Sequence, residues 1–289
     1  MSRTEEINRR HEEDLQRLRS LRLMDDDFLT KCFDGDNLCI ELILQIILGI
    51  DDLKVEDVHT QVFVENLLNR SVRFDVLATD STGKKYNIEI QRSDKGSGRK
   101  RARYNSSMLD VNLLNKGEDF DELPETYVIF ITENDVIGKG KALYHAERVI
   151  TETQEPFGDG AHILYVNGSY RDNATAIGKL MHDFSCTNPS DMYYSQLRER
   201  TSFFKESKEG IEIMCKAMEE LREQSIQEGR QAGIQEGKQV GRQESLEKVA
   251  RNMLEVGEPI DRIILFTGLS EQYLKELTQT SHMKSEVAP

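Results

Sequence analysis

No stretch of this 289-residue chain approaches the roughly twenty consecutive apolar residues that a bilayer-spanning helix needs. The first turn is charged and carries no apolar run, which argues against a secretory leader and for a cytoplasmic protein. Cysteine is sparse: Cys32, Cys39, Cys186 and Cys215 form no CxxC pair, so zinc-ribbon and dithiol chemistry are not expected. The six histidines form no HxH or HExxH pair. No GxxxxGK[ST] or GxGxxG run follows a strand, which leaves nucleotide-using chemistry without support. Positive charge is in deficit as well, with 38 Lys and Arg against 52 Asp and Glu, for a net charge of −14. That excludes a protein coated in basic surface. It leaves room for a local basic groove, because binding depends on where the charge sits.

One basic cluster stands out of this acidic background: Arg92, Lys95, Arg99, Lys100, Arg101 and Arg103, diluted only by Asp94. It reads either as a solvated helix face or as the wall of a nucleic-acid groove.

Residues 1–24 read as a charged helix with a weak stripe at Leu15, Leu18 and Leu21 to Leu23. The run Asp25, Asp26 and Asp27 then caps a helix through Phe28, Leu29, Cys32 and Phe33. A strongly apolar helix follows from about Asp36 to Leu48. Two segments then alternate with the period of two that marks strands. In the first, Val72, Phe74, Val76 and Ala78 share one face; in the second, Tyr86, Ile88 and Ile90 oppose Asn87, Glu89 and Gln91. Residues 80–85 connect them as a hairpin, with Gly83 free to take a positive φ. A helix opening on the basic cluster should run to about Leu114. Further strands are expected at 127–132 and 162–166, a helix or turn at 141–150, and a helix at 173–184.

The tail differs. Over residues 206–248, Gly229, Gly233, Gly237 and Gly241 recur every four residues among Gln, Glu, Arg and Lys. Each costs about 1 kcal/mol in a helix relative to Ala, a cost that close backbone approach in a self-associating helix would offset. Residues 249–280 have the spacing of a small helix-turn-helix-like module, though without its basic charge.

Counting outward from Thr82, Asp75 and Glu89 are each seven residues away, so they face one another across the hairpin. Directly opposed carboxylates repel at a Cβ separation of roughly 4.5–5.5 Å. Two readings remain open: a solvated outer strand face, or ligation of a hard divalent cation with Gln91 positioning a water.

The ordered motifs resemble those of the PD-(D/E)XK nuclease superfamily, and within it the bacterial branch of recombination-promoting nucleases and transposases. The residues that carry the resemblance are Asp25-Asp26-Asp27-Phe28 with Lys31 and Phe33, Arg73-Phe74-Asp75, Asn87-Ile88-Glu89-Ile90-Gln91-Arg92, Lys100-Arg101-Ala102-Arg103-Tyr104, and 123–131. They span about residues 20–200. The resemblance implies an α/β, restriction-endonuclease-like core, a mixed sheet flanked by helices, over residues 25–205. It further implies a Mg²⁺-dependent DNA endonuclease, with Mn²⁺ as substitute; the glycine spacing of 206–248 separately reads as a self-associating helix, with a frayed linker as the alternative.

By the same resemblance Asp75 and Glu89 are the metal-binding acids, and Asp27 completes the acidic set with Asp26 as its substitute. Gln91 stands where many superfamily members carry Lys. Arg99, Arg101, Arg103 and Tyr104 form the substrate-proximal helix, with Arg103 and Tyr104 expected at the site and Arg99 and Lys100 outside it. A competing reading is a nuclease-like binding and assembly protein without turnover.

Overall fold

In the computed structural model, which describes residues 3–66, 70–93 and 96–277, local turn and cap chemistry sets the element boundaries. Helix α1 spans Arg3–Ser20, α2 Asp26–Phe33 and α3 Asn37–Leu48. Asp36 caps α3 by accepting the Cys39 N–H at 2.9 Å, and Gly49 ends it at φ 68°. Asp94 and Lys95 of the basic cluster lie outside the described residues, as do positions 1–2 of the expected first helix and 278–280 of the expected last module.

Six strands form one sheet: β1 (Val55–Val64), β2 (Val72–Asp80), β3 (Lys85–Gln91), β4 (Thr126–Thr132), β5 (Leu143–Ala146) and β6 (Ala161–Asn167). Their order is β1-β2-β3-β4-β6-β5. The β1–β2 and β2–β3 pairs are antiparallel, β3, β4 and β6 are mutually parallel, and β5 is an antiparallel edge strand on β6. The parallel step from β3 to β4 requires a crossover, supplied by helix α4 (Arg99–Val111). Helices α5 (Ala176–Ser185) and α6 (Ser195–Glu206) follow the sheet.

Each face of the sheet has its own core. On one, Phe28, Leu29, Ile40, Ile43 and Leu44 of α2 and α3 pack with Val76, Ala78, Ile88, Ile129 and Leu164, joined by Leu180 and Phe184 of α5. On the other, Ala102, Met108 and Leu109 of α4 pack with Phe74, Val128, Phe130 and Tyr165. The α/β class and the flanked mixed sheet are as the sequence predicts.

Two local expectations are overturned. Phe74 does not share a face with Val76 and Ala78, because β1 and β2 change faces together. Val58 joins the α2–α3 side whereas Val64 joins the α4 side, and Gln61 between them has a left-handed backbone at φ 54°. β2 follows at the paired position: Phe74 pairs with Val62 and Val76 with Thr60, leaving Asp75 at the switch. This irregularity, with a register shift between Val55 and Asp57, breaks the alternation of β1 and hides that strand from its sequence pattern. The second correction is at residues 141–150, which contain strand β5 where a helix or turn is expected.

The hairpin between β2 and β3 is closed by a buried carboxylate. Asp80 accepts the N–H groups of Thr82 and Lys84 at 2.9 and 3.0 Å, and the hydroxyls of Thr82 and Tyr86 at 2.8 and 2.7 Å. Gly83 supplies the positive φ of 87°.

Helix α7 spans Lys208–Glu255, and α8 spans Ile260–Thr267. The chain divides into two units, residues 1–218 and 219–289. In the first, Met214 and Met218 of α7 are buried in the α2–α3 core. In the second, Ala250, Ile263, Leu269, Leu274 and Leu277 make a small core of their own, with Gly268 ending α8 at φ 69°. Gly229, Gly233, Gly237 and Gly241 have open space where a Cβ would stand.

Replacing Asp80 by alanine removes the acceptor of four hydrogen bonds at the turn that sets the register of β2 on β3. Asp80→Ala should cost about 3 kcal/mol of stability, read from urea unfolding midpoints at neutral pH.

Candidate active site

The ladder pairs Val76 with Ile88, Leu77 with Asn87, Ala78 with Tyr86 and Thr79 with Lys85. Continued by one residue, it sets Asp75 opposite Glu89, the register that counting from Thr82 predicts. The face switch at Asp75 turns its carboxylate away from the α2–α3 core. There it lines a cleft with Arg101 and Tyr104 of α4. Both acids are buried, Glu89 completely. Asp75 Oδ2 accepts the Ile90 N–H at 2.9 Å. Arg101 donates from Nη2 to Glu89 Oε2 at 3.1 Å, and from Nη1 to Gln91 Oε1 at 3.4 Å and the Gly96 carbonyl at 3.1 Å. A Cβ at Gly96 would stand 1.8 Å from Gln91 Oε1, so a larger residue there would push the amide aside.

Burial raises both carboxyl groups above the usual carboxylate range. For Asp75 desolvation leads, followed by the charges of Glu89 and Asp26. For Glu89 desolvation outweighs the opposing Arg101 guanidinium. No hydrogen bond of good geometry reaches Glu89 Oε1, although the Asn87 side chain and the Asp75 backbone N–H stand near enough to lower its carboxyl.

The three early aspartates separate cleanly. Asp25 precedes α2 and is held in an ion-pair network, 2.7 Å from Arg92, with Arg92 and Arg22 both reaching Glu133. Asp27 points toward Arg17, 4.0 Å away, and does not line the cleft of Asp75. Asp26 does line it, and burial together with the Asp27 charge raises its carboxyl. Asp26 therefore stands where the sequence places Asp27 first. An aspartate run on a helix start offers no rotational reference until the packing of Phe28 and Leu29 fixes it.

The cleft has a volume of about 720 Å³ and is also lined by Arg70, Arg73, Gln91, Lys100, Arg103 and Asn105. Arg70, Arg73, Lys100 and Arg103 make no ion pair among the described residues; of these, Arg73 acts at longer range on Asp26, lowering its carboxyl. Lys100, expected outside the site, lies on its wall. Arg99 does not line it; its charge acts on Tyr165 instead. The sequence pattern gives no site role to Arg70 or Arg73, although Arg73 stands two residues from Asp75. Arg92, counted in the basic cluster, is consumed by Asp25 and Glu133.

Asp75 and Asp26 line the cleft, and Glu89 is buried beside Asp75 against Arg101; carboxylates of this kind suit a hard divalent cation. Without one, their repulsion has a sign in stability. Asp75 is pushed up to about 7, so the folded state holds its proton more tightly than the unfolded chain. Its contribution is full below the unfolded value and is lost as pH rises through about 7. In chelator, Asp75→Asn should be more stable than the unmodified protein at about pH 8 and lose that advantage by about pH 4. Urea unfolding at the two pH values checks this.

No curated protein and no solved structure matches the chain. Residues 35–175, which contain Asp75, Glu89, Gln91 and the whole of α4, match the family described as PD-(D/E)XK nuclease family transposase. Nucleases of this superfamily generally use divalent metals. The match to the PD-(D/E)XK nuclease family transposases covers that domain, just under half of the chain.

Proposed function

We propose that this protein is a Mg²⁺-dependent DNA endonuclease acting in recombination or transposition, with Mn²⁺ as a working substitute. The observation that carries the reading is the buried Asp75–Glu89 pair, with Asp26 on the same cleft as Asp75. Asp75 and Glu89 would hold the ion, with Asp26 as the third acid. When bound, such an ion supplies Lewis acidity and neutralises charge gathering on the phosphate.

The chain's own residues supply the rest. Arg70, Arg73, Lys100 and Arg103 offer unpaired cations to the DNA backbone, and Arg101 stands closest to the acids. Tyr104 gives the cleft an aromatic wall. Gln91 orients water through its amide and cannot take a proton as Lys would, so the positive charge beside the acids comes from Arg101 on α4.

A second reading has one observation in its favour. The glycines of α7 have open space around them, and Ile226, Ile234 and Val240 beside them are exposed, as a helix that self-associates through 206–248 would require. A chain that only binds and assembles would show no Mg²⁺ uptake dependent on Asp75 and Glu89, which calorimetry distinguishes.

Asp75→Ala should lower Mg²⁺-dependent plasmid cleavage by on the order of a thousandfold or more while keeping its circular dichroism. Unchanged cleavage by the purified variant would sink the proposal. Asp26→Asn should cost about ten- to a hundredfold and Asp27→Asn almost nothing, as read in the same plasmid assay.

A further inference from the structure

A second group of ligand-bearing side chains lies at the far edge of the sheet. The β5–β6 register pairs Leu143 with Val166 and His145 with Leu164, so its continuation sets Glu147 opposite His162. His145 and Glu147 are two residues apart and share a face. His162 belongs to the face of Leu164 and Val166, opposite to that of Glu89. His145 Nε2 stands 3.1 Å from His162 Nδ1 and 3.2 Å from Glu147 Oε1, and His162 Nδ1 stands 3.0 Å from the same oxygen.

This triangle has no satisfactory arrangement of protons. An imidazole nitrogen has one in-plane direction, holding either a hydrogen or a lone pair. If both nitrogens carry hydrogens toward Glu147, they repel each other. If only one does, the other's lone pair faces the carboxylate. Ligand atoms of a tetrahedral zinc ion at about 2.0–2.1 Å are about 3.3–3.4 Å apart, close to the three edges seen.

The triangle is also supported. His162 stacks on Tyr127 at 4.5 Å between centroids, and Tyr127 on Tyr86 at 5.0 Å, which fixes the imidazole plane. A cavity of about 40 Å³, large enough for a water, adjoins Glu147 and His162.

We propose that His145, Glu147 and His162 bind a zinc-class divalent ion that staples the edge strand β5, and the chain leaving it, to β6. Two imidazoles and one carboxylate select a borderline transition ion over Mg²⁺. The site lies on the opposite face of the sheet from Asp75 and Glu89 and does not depend on their chemistry.

Titrating Co²⁺ alone into the chelator-treated full-length chain tests it through the visible absorption of tetrahedral cobalt. One equivalent is expected, undisturbed by Asp75→Asn. His145→Gln and His162→Phe should each weaken it more than about tenfold, the phenylalanine keeping a ring against Tyr127. Cys186→Ser should leave it intact. That variant matters because His182, Asp183 and Cys186 also cluster, although both Asp183 oxygens already accept N–H groups from Tyr193 and Tyr194. Absence of the band, its persistence in both histidine variants, or its loss in Cys186→Ser would each overturn the proposal.

Discussion

Two carboxylates, Asp75 and Glu89, lie side by side inside a sheet with a single guanidinium against them. Burying either charge alone is costly, and burying both together more so. The surrounding structure holds this arrangement in place. The Asp80 turn fixes the register, the Ile90 N–H anchors Asp75, and α4 delivers Arg101 to Glu89. Gly96 clears the space in which Gln91 meets the same guanidinium.

The site also depends on a fault in the sheet's alternation. Phased from Phe74, an unbroken strand would turn Asp75 into the α2–α3 core. Phased from Val76, it would take Phe74 away from α4. The left-handed Gln61 lets β1 and β2 change phase together, so apolar residues on both sides of the switch remain buried. A non-glycine residue in that region costs of order 1–3 kcal/mol and persists only where its surroundings impose it. Gln61 is further tied to α2, donating to Asp26 at 3.3 Å and to Thr30 at 3.0 Å. The strained residue thus links Asp26 to the strand pair that carries Asp75.

The same faults decide which elements the sequence discloses. β3 and β4 are legible because their alternation or apolar run is unbroken, and the hairpin register follows from counting residues. β1 is not, since two irregularities scatter its valines. β5 is four residues long and its polar flanks resemble a turn, so His145 and Glu147 have no visible strand on which spacing by two means a shared face. The choice between Asp26 and Asp27 turns on helix rotation, which tertiary packing decides.

Gln91 shows how a departure from a motif can be compensated from another element. A lysine there would bring its charge along β3 itself, next to Glu89. In this chain the amide is neutral, and the charge arrives from α4 through Arg101, 3.1 Å from Glu89 and 3.4 Å from Gln91. The exchange is not equivalent. A guanidinium stays protonated at any accessible pH, so it can offset negative charge and direct hydrogen bonds without ever accepting a proton. A lysine amine whose pKa is lowered by desolvation can lose its proton and act as a base. With Arg101 and Gln91 in those places, neither side chain beside Glu89 can accept a proton, and burial together with the charges of Glu89 and Asp26 already raises the Asp75 carboxyl.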